Sequence, residues 1–194
     1  MVSWYLVLLG VVASERGLEL FISRRNAHWA LAHGGIEFGQ RHFRLMVLVH
    51  VSFLFSCAAE VVCWQRPVIP ALAISMGILA LAAQALRYWA VMTLGRRWNV
   101  RVIVVPWEAA VTSGPYRYVR HPNYLAVLIE AFAVPLVHTA WLTALIFTLL
   151  NAMLLAVRIR CEERALTRYC SYRERLGRRG RFFPTRWVAS AHEH

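Results

Sequence analysis

Lysine is absent: the chain of 194 residues carries 22 basic side chains, all arginine, against ten acidic ones. No CxxC pair occurs among the four cysteines, Cys57, Cys63, Cys161 and Cys170. Their spacing yields neither a zinc ligand set nor a disulfide framework, and packing is the role they receive. No basic residue precedes the first apolar run, Val2–Ala13. A cleavable signal peptide needs a positive n-region, so the expectation is a retained helix. Internal repeats and low-complexity segments are absent, and no polar stretch is long enough for an attached soluble domain.

What is present is apolar surface and positive charge. Hydrophobic residues make up 59% of the chain, and the mean hydropathy is +0.46. That is too apolar for an ordinary soluble domain. The net charge is +12 and the pI about 10.7. A high pI can point to nucleic acid, but these arginines flank apolar runs, which points to membrane topology and to lipids as partners. The runs are 2–22, 45–64, 68–94, 124–137 and 139–157. The first is broken by Glu15, Arg16 and Glu19, the second carries His50 and Glu60, and the third ends with Gln84, Arg87 and Tyr88. Runs two and three are long enough to span a bilayer; the last two are short and read as a tilted or shallow hairpin. The predicted fold is an all-α integral membrane protein with about five transmembrane helices and a C-terminal amphipathic helix. That last helix follows from Ala165, Tyr169, Tyr172 and Leu176 at helical spacing opposite an Arg-rich face, ended by an interfacial anchor at Arg181-Phe182-Phe183-Pro184 and Trp187. Arginines crowd the 23–44 loop, the 95–122 loop and the tail from Arg158, whereas the opposite side has only Arg66. The positive-inside rule places those three segments in the cytoplasm of a bacterial-type plasma membrane. The chain reads as one domain: helices over 1–92, a core over 93–185 and a tail over 186–194.

The stretch on which the rest is organised is Gly114–Glu130, GPYRYVRHPNYLAVLIE. Gly114-Pro115 signals a turn. Pro122 suits the first turn of a helix, where its missing N–H costs nothing. The free N–H groups that follow then lie beside Arg120 and His121, an arrangement fit for an anion. A basic loop touching lipid headgroups would account for any one of these residues, but headgroup attraction does not need His-Pro-Asn-Tyr in that order. Tyr118 and Trp98 read as interfacial aromatics. His28, His33 and His42 lack metal-ligand spacing, and no metal is called for.

GPYRYVRHPNY, followed by CEERALTRYCSYRERL from Cys161 and by RFFP, resembles the isoprenylcysteine carboxyl methyltransferase and phospholipid methyltransferase superfamily, membrane enzymes that use S-adenosylmethionine. The pattern is a GxYxxxRHPxY block, a hydrophobic hairpin and a paired glutamate, and it covers roughly residues 93–185. SERGLELFISRRN and GGIEFGQRHF resemble a bacterial subgroup encoded beside type III polyketide synthases, whose members O-methylate alkylpyrones and alkylresorcinols. The resemblance implies that Tyr116, His121, Pro122, Asn123, Tyr124 and Glu162 contact S-adenosylmethionine, with main-chain contacts from a strand-like Ala110 and Val111. It also implies that Arg158 stands on the acceptor side. Leu125 and Ala126 depart from the glycine often found after HPxY, which weakens a transfer of prenylcysteine specificity.

Independent chemistry agrees with that division. The cofactor's carboxylate suits the helix start at His121–Tyr124, and its ribose hydroxyls suit Glu162. Against this, Glu162 and Glu163 suit the start of a surface helix, and Arg158–Glu162 suits a plain i,i+4 ion pair. Glu130 is ionisable at membrane depth, which is costly and marks a paired or functional group. It reads as a partner of Arg87 or His50, or as a general base for a phenol or enol acceptor. The leading function is methyl transfer to an oxygen of a lipid-like acceptor entering from the bilayer, such as an alkylpyrone, an alkylresorcinol or a prenylated cysteine. The alternatives are N-methylation of a phospholipid amine, an NADPH-dependent membrane reductase sharing RHPNY, and a non-catalytic scaffold.

Overall fold

The structure, a computed structural model, describes residues 2–170, 172–177 and 179–184, without the side chains of Arg41, His42 and Arg173. Trp187 and the 186–194 tail lie outside it. Six helices and one two-stranded ribbon make up the fold among the described residues: α1 (Ser3–Ala32), β1 (Ile36–Phe38), α2 (Gln40–Cys63), α3 (Pro70–Leu94), β2 (Val102–Val104), α4 (Pro122–Leu136), α5 (Trp141–Tyr169) and α6 (Tyr172–Leu176). Among the described residues, three helical stretches are long and apolar enough to cross a membrane: Phe43–Cys63, Pro70–Arg97 and Trp141–Tyr169. α4 is a shorter apolar helix.

The first correction concerns the extent of α1. Glu15, Arg16 and Glu19 interrupt the apolar run but lie inside one helix, which continues beyond residue 22 to make 30 residues in all. Glu15 accepts a hydrogen bond from Gln84 of α3 at 2.5 Å, and Arg16 donates to Glu19 at 2.7 Å. The polar segment expected to be loop from residue 23 is therefore largely helix, closed by Gly34 and Gly35. Gly34 takes φ +78°, and a Cβ on Gly35 would press into the Ala30 carbonyl, so this exit fits glycine. The chain then forms β1, which pairs antiparallel with β2 (Ile36 with Val104, Phe38 with Val102).

α5 is the second correction. It is not the short second arm of a hairpin: it continues through Arg158 and Glu162 to Tyr169 as one helix of 29 residues. The expected amphipathic helix from Arg158 is thus mostly the end of α5, and among the described residues the five-residue α6 follows it.

The bundle core joins Tyr5 and Leu9 of α1, Phe53, Cys57 and Val61 of α2, and Val134 and Phe147 of the α4–α5 pair. α3 and α4 approach closely because small residues face one another. Ala83, Ala90, Ala126 and Ala131 are all buried, and Ala126 is 0% exposed. At the end away from the motif, Glu60 of α2 serves as a cap for α5. It accepts from the Thr143 amide and hydroxyl, both at 2.7 Å, and from the Leu142 amide at 3.2 Å, and it pairs with Arg66 at 2.9 Å. A carboxylate suits the positive end of a helix. Glu60→Ala should leave these donors unsatisfied and cost about 1–3 kcal/mol. The check is thermal unfolding in detergent, where an unchanged melting temperature would contradict the cap.

Candidate functional site

The motif loop is held from outside by the chain's own C-terminal segment. The Arg120 amide donates to the Gly180 carbonyl at 3.0 Å and the His121 amide to the Arg181 carbonyl at 3.1 Å. Arg179 donates to the Tyr116 carbonyl at 2.5 Å. Gly114, at φ +54°, opens the loop against Thr93 of α3, where a Cβ would collide. The loop therefore delivers Pro122 into α4 with a fixed direction, and no side chain among the described residues caps that helix start.

Glu163 anchors this arrangement. It pairs with Arg120 at 3.0 Å, with His121 Nε2 at 3.1 Å and with Arg181 at 2.5 Å. Three cationic or potentially cationic partners converge on one carboxylate, so its place on α5 is structural as much as electrostatic. Tyr172 of α6 adds its hydroxyl 3.4 Å from the same His121 nitrogen. Burial first, then the nearby Glu163 and Glu162, pushes the Tyr172 phenol up. Burial likewise pushes Tyr116 well above its ordinary value, with Glu162 adding to the effect. Both phenols stay protonated at neutral pH and can donate hydrogen bonds.

Next to this anchor lies a narrow cleft of about 150 Å³. Ala110, Val111, Tyr116, His121, Asn123, Tyr124 and Glu162 all line it; Pro122 is buried beneath as the first residue of α4. Ala110 and Val111 lie outside any helix or strand, and the strand is the earlier Val102–Val104. Arg158 and Glu162 do not pair directly as i,i+4 partners. They meet on the Tyr124 hydroxyl, which donates to Glu162 and accepts from Arg158 Nε at 2.7 Å. Arg158 is 6% exposed, and its remaining nitrogens reach the Val100 carbonyl and, at 3.1 Å, the Met46 sulfur.

Arg158 faces a second cavity, of about 590 Å³, which runs between α1 and α2 among apolar side chains. Trp98, Asn99, Asn123 and Tyr124 wall both the cleft and this cavity, so the two meet there. Trp98 is therefore not an interfacial aromatic: it is buried at the junction. A third cavity, of about 820 Å³, adjoins the second through Arg16, His50, Leu54 and Val127. Glu130 lines the third. Of its readings, the geometry has the pairing with Arg87, which donates to both carboxylate oxygens at 2.6 and 3.1 Å. His50 does not pair with Glu130; it bonds the Met46 carbonyl.

Sequence reasoning missed Glu163 as the anchor, Asn99 and Trp98 at the junction, and Arg179 and Arg181 as the clamp. The signal for Glu163 was available as an acid adjacent to Glu162 with Arg120, His121 and Arg181 in need of a partner. Among the described residues, no group of three or more His, Cys, Asp or Glu is placed to hold a metal ion.

Residues 75–168 match the isoprenylcysteine carboxyl methyltransferase family. An uncharacterized Bacillus subtilis protein, YpbQ, is 35% identical over 163 residues, which is 84% of this chain and 96% of that protein. An uncharacterized protein of Haemophilus influenzae is 30% identical over 162 residues, 83% of this chain and 94% of its own. Among solved structures, the eukaryotic intramembrane Ras methyltransferase, an isoprenylcysteine carboxyl methyltransferase, aligns with a TM-score of 0.53 at 22% identity. The alignment takes in 73% of this chain and 52% of that enzyme, so the present chain spans about half its length. At that identity the likeness is one of fold.

Proposed function

Because this chain belongs to the isoprenylcysteine carboxyl methyltransferase family, a family of membrane methyltransferases, we propose that it transfers a methyl group from S-adenosylmethionine to an oxygen of a lipid-like acceptor. The observation that carries the reading is the junction: Asn123 and Tyr124 wall both a cleft that has charged and polar side chains in its lining and a largely apolar cavity. Two reactants of opposite character can therefore meet without crossing water.

The cleft fits the cofactor's amino-acid end. Asn123 Oδ1 and Arg120 Nε are buried and have no partner among the described residues. The first can accept from an ammonium. The second, with the uncapped N–H groups at the start of α4, can donate to a carboxylate. His121 and Tyr116 wall the same cleft, and Ala110 and Val111 offer main-chain groups. Glu162 spends one carboxylate oxygen on Tyr124, which leaves the other for ribose hydroxyls. When bound, the cofactor supplies a methyl group made electrophilic by its sulfonium. Arg158 then presents a guanidinium to the acceptor cavity, where it steadies negative charge on an acceptor oxygen. An amine acceptor gains nothing from that charge, so oxygen is favoured over a phospholipid amine. Glu130, through Arg87, fixes the wall between the two apolar cavities.

The chain is an integral membrane protein. We place α1 and α4 across the bilayer with the three longer spans, giving five crossings. The arginine-rich motif end then faces the cytoplasm of a bacterial-type plasma membrane, where the cofactor is found. The acceptor enters sideways from the bilayer. The test is to supply methyl-labelled S-adenosylmethionine to membranes containing the chain and to separate the lipids. Label should appear in a non-phospholipid O-methyl product and be lost with Glu162→Ala. Label confined to phospholipid amines would assign the N-methyl alternative, and unlabelled lipid would contradict the reading.

A further inference from the structure

The cleft is too small to enclose the whole of a nucleoside-bearing cofactor. It holds about 150 Å³, whereas pockets that enclose small-molecule ligands run from about 300 Å³ upward. Arg120, His121, Asn123 and Glu162 serve the amino-acid end and the ribose, so the base is left for the opposite end. That end has an apolar wall: Val104, Val105 and Ala109 from β2 and the loop after it, and Leu166 and Cys170 from around the end of α5. Trp107 stands at its rim. Glu108, the next residue, lines the cleft, as does Val105, and consecutive Cα atoms are ~3.8 Å apart. Yet Trp107 is 95% exposed, the most exposed large hydrophobic residue among the described ones. Its backbone takes φ +71°, which a bulky residue rarely adopts. The loop itself is fixed. The Trp107 amide donates to the Tyr169 carbonyl at 3.1 Å, the Glu108 amide to the Val105 carbonyl at 3.4 Å, and the Glu108 carboxylate pairs with Arg97 at 2.8 Å. Nor is this a place for a lipid anchor. Tyr169 lies about three turns beyond Arg158 on α5, ~16 Å along the axis and away from the apolar part of that helix. A held backbone thus presents a strained, water-exposed indole beside the open end of the cleft.

We infer that Trp107 is a cofactor-binding residue: its indole closes over the cleft and stacks on the adenine of S-adenosylmethionine, holding the base against the apolar wall of Val104, Val105 and Leu166. The inference rests on the methyltransferase reading above. An exposed side chain changes rotamer in picoseconds to nanoseconds, so closure needs rotation about the side-chain bonds only, and the hydrogen bonds that fix the loop stay in place. The indole then loses its contact with water, the base gains a second face, and two flat π systems meet in the offset arrangement they favour. The strained backbone holds the aromatic ring at the rim, where it is of use only when the base is present.

The test uses full-length protein in lipid nanodiscs with S-adenosylhomocysteine, which carries the same adenine, and compares wild type, Trp107→Phe and Trp107→Gly. Calorimetric affinity should fall at least about fivefold in Trp107→Gly, the low end of base–aromatic stacking, and less in Trp107→Phe, which keeps a ring. Glycine takes this φ without strain, so the melting temperature of ligand-free Trp107→Gly should equal or exceed that of wild type, and the weaker binding is then not unfolding. A second readout labels the eight tryptophans with 5-fluorotryptophan, and the resonance absent from Trp107→Phe belongs to Trp107. Without ligand a soluble gadolinium chelate should broaden it; with saturating S-adenosylhomocysteine it should move and be protected. A smaller loss in Trp107→Gly, a Trp107→Phe as weak as Trp107→Gly, or a resonance that stays unmoved and unprotected would overturn the inference. A wild-type protein that binds no S-adenosylhomocysteine would overturn the methyltransferase reading itself, and the stacking with it.

Discussion

Arg87→Leu should be the most damaging single change to the fold, with a loss of about 3 kcal/mol. The side chain is 4% exposed and holds Glu130 at 2.6 Å and Glu19 at 3.2 Å, so one guanidinium ties α3 to both α4 and α1. Its removal leaves two carboxylates facing apolar surroundings, which accounts for most of the cost of breaking a buried pair. The loss sits near the low end of the usual range because Arg16 remains, 2.7 Å from Glu19 and 3.6 Å from Glu130. The double variant Arg87→Leu/Glu130→Leu should recover most of the stability, since Glu19 keeps Arg16 and the other charges are gone together. Thermal unfolding of the wild type, two singles and the double in one detergent closes the cycle. A single Arg87 variant that melts like the wild type, or a double no better than the single, would contradict this account of the network.

Arg158→Ala should be the most damaging change to turnover, with kcat lower by about 100-fold or more. Its guanidinium reaches Tyr124 on α4, Met46 on α2 and the Val100 carbonyl of the loop after α3. The junction between cleft and cavity is thus positioned by one planar, multiply donating group. Arg158→Lys should not rescue it. An ammonium keeps the charge but cannot address three partners in the fixed geometry of a guanidinium. S-adenosylhomocysteine should still bind to both variants, because the cleft proposed for it is lined by Glu162, Asn123 and His121 rather than by Arg158. The discriminating result is a fall in kcat with that affinity kept. Wild-type turnover in Arg158→Lys would show that charge alone suffices and would remove Arg158 from the role of organising the junction.

The residues that line the cleft were legible because GPYRYVRHPNY and CEER carry a family resemblance that composition alone does not. Ala110, Val111, Tyr116, His121, Asn123, Tyr124 and Glu162 all line one space. The roles inside that space were less legible. Arg158 and Glu162 are four residues apart on one helix and look like an ion pair, yet Tyr124 from another helix intervenes and takes both. Glu163 reads as a surface acid until the C-terminal segment folds back and brings Arg181 to it.

Helix bounds failed for a related reason. Glu15, Arg16 and Glu19 interrupt the hydropathy of α1 but not its backbone hydrogen bonds. Their partners Gln84 and Arg87 lie on α3, far away in sequence. α5 loses its apolar character at Arg158 without stopping, because a helix satisfies its backbone internally whether lipid or water surrounds it. The β1–β2 ribbon has three residues per strand, too few for alternation to be read. Arg158 and the motif residues were thus singled out from the family resemblance, whereas long-range pairing was found only from the fold.

Calorimetric titration of the detergent-purified protein with S-adenosylhomocysteine, beside NADPH and beside a Glu162→Ala variant, tests the central claim most directly. The account predicts saturable binding of S-adenosylhomocysteine at one site per chain, weakened by about tenfold or more in Glu162→Ala when the ribose loses its carboxylate partner, and no heat from NADPH. Binding of NADPH in its place, or affinity for S-adenosylhomocysteine that Glu162→Ala leaves unchanged, would contradict it.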